Sequence, residues 1–142
     1  MKKIIVCGSR DYKNKALLEE MLEKIVTPHL NFELITGDCP TGADKMAWDW
    51  FCSKSWDDWI DSDVIVESRV VAFKKFPANW KKYGRAAGPR RNAEMADYVL
   101  GEEGAGEEAL CIAFWDGKSK GTKDMIDKAR RHGIKVCDYI TS

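Results

Sequence analysis

Short, unbroken apolar runs alternate along this chain with segments of helical periodicity, and the runs open into loops rich in glycine, proline and aspartate. That alternation limits the fold more than any other feature. Unbroken apolar runs suit strands that are covered on both faces. Strands alternating with helices imply a parallel sheet with right-handed crossovers. The runs are Ile4-Ile5-Val6-Cys7, Phe32–Thr36, Val70–Phe73, Ala109–Phe114 and Ile134–Cys137. Between the first two, Leu17, Leu18, Met21, Leu22, Ile25 and Val26 share one helical face, stopped at Pro28. Ala43, Met46, Ala47, Trp50 and Phe51 mark a second helix. Pro89 suits the opening of a third, with Met95, Ala96, Val99 and Leu100 as its apolar face. A fourth is predicted from Thr122 to His132, with Gly133 as its C-terminal cap. The expected architecture is a Rossmann-like three-layer α/β sandwich of about five parallel strands, in the order 3-2-1-4-5. It forms a single domain over residues 1–142. Residues 53–69 either prolong the second helix or form an inserted hairpin, and residues 101–108 read as an acidic loop.

With 142 residues the chain is long enough for one real core. Its formal net charge is zero, which disfavours a general nucleic-acid binder. The 5 cysteines include no CxxC pair and only His29 and His132 accompany them, so neither a metal site nor a disulfide framework is expected. Cys7, Cys111 and Cys137 read as small buried hydrophobes. A reducing, cytoplasmic setting fits, with no signal peptide and no membrane span expected. No cofactor is called for. A homo-oligomer is left open, with Trp56 and Trp59 either at a dimer surface or in the core.

In an open parallel sheet the ligand sits outside the carboxyl ends of the strands, so the loops there carry the chemistry. After the first strand, Gly8 permits close backbone approach, Ser9 offers a hydroxyl and Arg10 can clamp a phosphate. No GxxxxGK[ST] phosphate loop is present. After the second strand, Gly37, Asp38 and Gly42 lead into a helix start that can bind an anion. Thr41 and Asp44 have capping-box-like spacing, so Asp44 is either a structural cap or a ribose ligand. From Lys74 to Arg91 the charged residues are all basic. Arg90, Arg91 and Asn92 stand at a predicted helix start, where their positive charge opposes the macrodipole and an anion would relieve the conflict. Asn92 falls on the inward face and implies a ligand or a buried hydrogen bond. Trp80 and Tyr83 can stack a base or cover the sheet edge. After the fourth strand, Asp116, Gly117, Ser119, Gly121 and Thr122 face the Gly8 loop across the switch point. There Asp116 suits a ribose hydroxyl or a lysine, and Thr122 suits a phosphate or the helix cap.

Five segments occur in order: Cys-Gly-Ser-Arg-Asp-Tyr, Thr-Gly-Asp-Cys-Pro-Thr-Gly-Ala-Asp, Phe-Pro-Ala-Asn-Trp, Ala-Gly-Pro-Arg-Arg-Asn-Ala-Glu-Met and Ala-Phe-Trp-Asp-Gly-Lys-Ser-Lys-Gly-Thr. Together they resemble the SLOG superfamily, in particular its small YspA/YpsA-related branch of bacteria and phages. The likeness covers most of the chain apart from 53–69 and 101–108. It implies kinship with LOG-type nucleoside-monophosphate phosphoribohydrolases, with the DNA-processing protein DprA and with proposed sensors of nucleotide signals. Arg91 to Met95 is similar to the arginine-bearing helix start of LOG enzymes, and Gly117 to Thr122 to their PGGxGTxxE loop. The glutamate of that loop is replaced here by Met125, with Asp124 one residue early and about 100° around a helix. The resemblance therefore implies a nucleotide-derived small-molecule ligand, a nucleoside monophosphate or an ADP-ribose-like compound, for a sensor or sequestering protein. The alternative is cleavage of an N-glycosidic bond, with Glu94, Asp38 or Asp116 as the acid and Arg91 holding phosphate. A further alternative, from DprA, is single-stranded DNA along the Lys74–Arg91 patch, which the zero net charge argues against.

Overall fold

The computed structural model describes residues 2–26, 31–54, 56, 71–101 and 109–140. Pro28, His29, Trp59, Val70 and nearly all of 53–69 and 101–108 lie outside the described residues. A five-stranded parallel sheet has the order β3-β2-β1-β4-β5. Its strands are β1 (Lys2–Gly8), β2 (Phe32–Thr36), β3 (Val71–Lys75), β4 (Ala109–Trp115) and β5 (Lys135–Ile140). Helix α1 (Lys15–Ile25) links β1 to β2 and α2 (Gly42–Ser53) follows β2. After β3 come a single turn α3 (Trp80–Tyr83), a 3-10 turn (Gly84–Ala86) and the long helix α4 (Ala87–Leu100). Helix α5 (Lys120–Arg131) connects β4 to β5.

The apolar runs became central strands because the sheet is covered on both sides. Ile4 pairs in register with Leu34 and Leu110, and these face Leu18, Leu22, Ala47 and Trp50 of α1 and α2. Ile5 pairs with Ile35 and Cys111, which face Met95, Ala96, Val99, Met125, Ile126 and Ala129 of α4 and α5. Successive β1 residues thus enter opposite cores, as the two-residue period of a strand requires. The chain winds outward from β1 through β2 to β3, then returns to add β4 on the other side. The switch point therefore lies between β1 and β4, and the loops after these strands diverge there into a crevice.

Helix starts differ from expectation in instructive ways. Helix α4 begins at Ala87 rather than Pro89. Pro89 still falls in the first turn, where backbone N–H groups have no intrahelical acceptor and its missing donor costs nothing. Helix α5 begins at Lys120, two residues before Thr122. Its far end is closed as predicted: Gly133 has φ 76°, its N–H donates to the Arg130 carbonyl at 3.1 Å, and the Ile134 N–H reaches the Ala129 carbonyl at 2.9 Å. Trp56 packs into the core, its ring 5.3 Å from Phe32 and 5.6 Å from Trp50. No described helix is long and apolar enough to cross a membrane.

Candidate functional site

A cleft of about 840 Å³ opens at the carboxyl ends of the strands, between the loops after β1, β2 and β4 and the start of α4. Its walls include Gly8, Ser9 and Arg10 from the first loop and Gly37, Asp38 and Asp44 from the second. Helix α4 adds Arg91 and Asn92, and the fourth loop adds Asp116, Ser119, Gly121 and Thr122. Four candidates stand off the wall. Gly117, with φ 81°, shapes the turn beside it. Glu94 is exposed on α4, and the Arg90 guanidinium lies 4.0 Å from the Tyr83 ring centroid. Gly42 lies behind the second loop, with φ 72°, and a Cβ on it would run into the Ser9 carbonyl oxygen. Only glycine suits both demands, so Gly42 sets how closely the loops after β1 and β2 approach.

The Gly42 backbone also undoes the expected capping box. Thr41 occupies the N-cap of α2 but its side chain caps nothing. With a left-handed residue immediately after the cap, the reciprocal geometry of the box is not available. The Asp44 carboxylate instead accepts the Cys39 N–H at 3.1 Å and is only 8% exposed. Burial pushes its pKa up to about 6, against the opposing pull of the Cys39 N–H, the Arg91 charge and the Gly37 backbone. Asp44 can therefore hold or release a proton near neutrality at the cleft wall. Asp38 has φ 58° and its carboxylate lies 3.8 Å from the Lys75 ammonium.

Arg91 crosses the cleft floor. It donates to the Gly37 carbonyl and, at 3.0 Å, to the Asn92 side-chain oxygen. The absence of a side chain on Gly37 lets the guanidinium lie against it. Both acceptors are neutral, and among the described residues no carboxylate stands within 4.0 Å of Arg91. The inward Asn92 is 4% exposed, and hydrogen bonds, one of the two roles that its position predicted, engage its amide. Its amide donates to the Gly121 carbonyl at 3.2 Å and to the Asp124 carboxylate at 3.0 Å, tying α4 to the start of α5. Asp124 also pairs with Lys128 at 2.6 Å. Met125, at the position of the LOG glutamate, is 1% exposed in the core beneath the cleft.

The loop after β4 is held largely by its own residues. The Asp116 carboxylate accepts the N–H groups of Lys118 at 2.8 Å and Ser119 at 2.7 Å. These bonds hold its pKa below the usual carboxylate value. Asp116 thus engages backbone donors rather than a lysine. The helix cap is Ser119 rather than Thr122, since Ser119 Oγ accepts the Thr122 N–H at 3.4 Å. The earlier start of α5 explains the change. Ser9, 3% exposed, accepts the Asp116 N–H at 3.3 Å and joins the two loops across the switch point. The first-turn N–H groups of Lys120 and Gly121 have no intrahelical acceptor and lie at the cleft.

Several wall residues escaped sequence reasoning. Lys118 and Lys120 sit within a motif read for its glycines and hydroxyls, and Arg85, read only as part of the Lys74–Arg91 basic run, lies in a 3-10 turn. Cys7 is also on the wall, its sulfur 3.9 Å from that of Cys111. The neighbouring thiol and burial raise its pKa well above the ordinary value, which leaves it a protonated, unreactive group.

Residues 2–83, more than half of the chain, match the family described as YspA, cpYpsA-related SLOG. The gene 61 protein of Mycobacterium phage D29 is 26% identical over 140 residues, covering 98% of this chain and 97% of that protein. Extent of match, strand order and the crevice at the switch point agree: the chain belongs to the YspA, cpYpsA-related SLOG family.

Proposed function

We propose that the cleft binds a nucleotide or nucleotide-derived ligand, a nucleoside monophosphate or an ADP-ribose-like compound, and that the protein senses or sequesters it. Family membership fits a nucleotide-related ligand-binding or ligand-modifying role. The observation that carries the reading is Arg91: a cation on the cleft wall whose hydrogen bonds go to neutral acceptors. A phosphate placed against it gains charge-assisted bonds that the protein itself does not supply. The Lys120 and Gly121 N–H groups at the start of α5 offer a second set of donors to the same anion. Calorimetric titration with AMP and with ADP-ribose tests this. Arg91→Ala is expected to weaken binding about 10- to 100-fold while the domain stays folded. Unchanged affinity in that variant removes Arg91 from the site.

One observation favours a second reading, hydrolysis of an N-glycosidic bond. Asp44 is the carboxylate on the cleft wall whose pKa is raised, to about 6. In this reaction the water oxygen bonds to the anomeric carbon, the carbon–nitrogen bond breaks, and a proton goes to the departing base. Asp44 has the protonation range to deliver or take that proton, a contribution of about 10²- to 10⁴-fold. Chromatography for free base after incubation with nucleoside monophosphates, ADP-ribose and NAD decides between the readings. Release that disappears in Asp44→Asn supports hydrolysis, whereas no release from any compound supports binding alone.

A further inference from the structure

Trp80 stands apart from the other described tryptophans. Trp48 and Trp50 pack against core aromatics, the former 4.9 Å from Phe73 and the latter 5.6 Å from Trp56. Trp115 spends its indole N–H on the Ser119 carbonyl at 3.0 Å. Trp80 is 49% exposed and lies on the wall of the cleft. The tip of its ring lies over Gly88, where an added Cβ would come to 3.4 Å, and the Arg10 guanidinium stands 5.7 Å from the ring centroid. The indole is thus flanked by two cleft residues, and the Arg10 separation is too wide for close stacking.

The backbone turn that carries this side chain is braced at both ends. Asn79 Oδ1 accepts the Lys82 N–H at 3.1 Å and caps the short turn α3. Arg90 stacks on Tyr83 at its other end. The ring therefore presents a large planar apolar surface from a braced turn. Trp80 follows β3 and the loop holding Ser119 and Gly121 follows β4, and both line the same cleft.

Resting on the nucleotide reading above, we infer that the ligand carries a planar aromatic ring that stacks on Trp80, with its phosphate toward Arg91 and the Ser119–Gly121 loop. The Arg10 guanidinium, 5.7 Å from the Trp80 centroid, is too close to leave room for a ring between them, so it must move aside as a ring stacks on the indole. Stacking on an indole is tolerant of base identity, because every base has a π-face. The ring class, rather than one particular base, is what Trp80 selects.

The test is calorimetry on the full chain with AMP, adenosine and ribose 5-phosphate, for the wild type, Trp80→Ala and Trp80→Phe. Trp80→Ala is expected to weaken AMP and adenosine about tenfold, leave ribose 5-phosphate unchanged, and be largely rescued by Trp80→Phe. If Trp80→Ala leaves AMP and adenosine unaffected, or weakens ribose 5-phosphate equally, the stacking role is overturned while the nucleotide reading survives. Adenosine binding that depends on Trp80, without binding of ribose 5-phosphate, keeps the stacking and overturns the phosphate site. No binding of any probe overturns the stacking proposal and the nucleoside-monophosphate reading together.

Discussion

Asp44 and Asp116 both sit beyond the carboxyl end of a strand, both line the cleft and both accept backbone N–H groups, yet their environments drive them in opposite directions. Asp116 is exposed, and its two short bonds lower its pKa. Asp44 is buried, and the loss of water outweighs its bonds and the nearby Arg91 charge, raising its pKa. Hydrogen bonds decide the ionisation where solvent remains, and desolvation decides it where solvent is excluded. The loops follow the same division. The one after β4 is closed mainly from within, by Asp116 and Ser119, with one bond to Ser9, while the one after β2 adds to its own Asp44–Cys39 bond the close approach of Ser9 to Gly42 and the Arg91 bond to Gly37. The first is a built-in turn, and the second is a joint whose acid can change charge in the working pH range.

The sharpest way to break this contrast is at Gly42. Gly42→Ala places a Cβ against the Ser9 carbonyl at a backbone angle that L-residues resist. A loss of roughly 2–5 kcal/mol, read by urea unfolding, is expected from the combined strain and overpacking. A neutral outcome would show that the loop after β2 is not held by the close approach of Ser9.

Next in size is the pH dependence of Asp44. Its folded pKa of about 6 lies above the ordinary 3.8, so the folded state binds more protons between these values. Its stabilising contribution is complete below about pH 3.8 and is lost as pH rises through about 6. The loss amounts to roughly 3 kcal/mol at most. Asp44→Asn removes this component, so comparing unfolding free energies of both proteins from pH 4 to pH 7 isolates it. A pH-independent difference between them would mean that Asp44 titrates as an ordinary carboxylate.

Asn92→Ala probes the brace between α4 and α5 that lies between these two loops. It deletes the bonds to Gly121 and Asp124 and leaves their acceptors short of a partner, at a cost of about 1–3 kcal/mol. At Asp116 the expected effect is smallest and local. Asp116→Ala should speed amide hydrogen exchange at Lys118 and Ser119 without moving the global midpoint, and Asp116→Asn should restore much of the protection.

The scaffold was legible because its signals are local. Ile4–Cys7 and Ala109–Phe114 are short apolar runs bounded by glycine or acidic loops, and the reversal at β1 follows from the connection rules of parallel sheets. The wall of the cleft was legible in its loops but not in the state of its acids. Asp44 reads as a cap or a ribose ligand from its spacing to Thr41 and its place after β2, and the left-handed Gly42 next to the cap turns its carboxylate to Cys39. The protonation of Asp44 depends on how deeply tertiary packing buries it, which no periodicity encodes. Arg90 was a candidate beside Arg91 at the helix start, but residues one apart on a helix point about 100° away from each other. Arg91 faces the cleft, while Arg90 lies on Tyr83 outside it.

If the loops after β1, β2 and β4 form one ligand site, backbone amide chemical shifts during titration with AMP will report it. Gly8–Arg10, Gly37–Cys39 and Ser119–Thr122 are expected to shift together along one saturation curve, while the amino-terminal ends of β1 and β2, at Lys3 and Glu33, stay in place. Shifts confined to one loop, or centred on the opposite edge of the sheet, would contradict it.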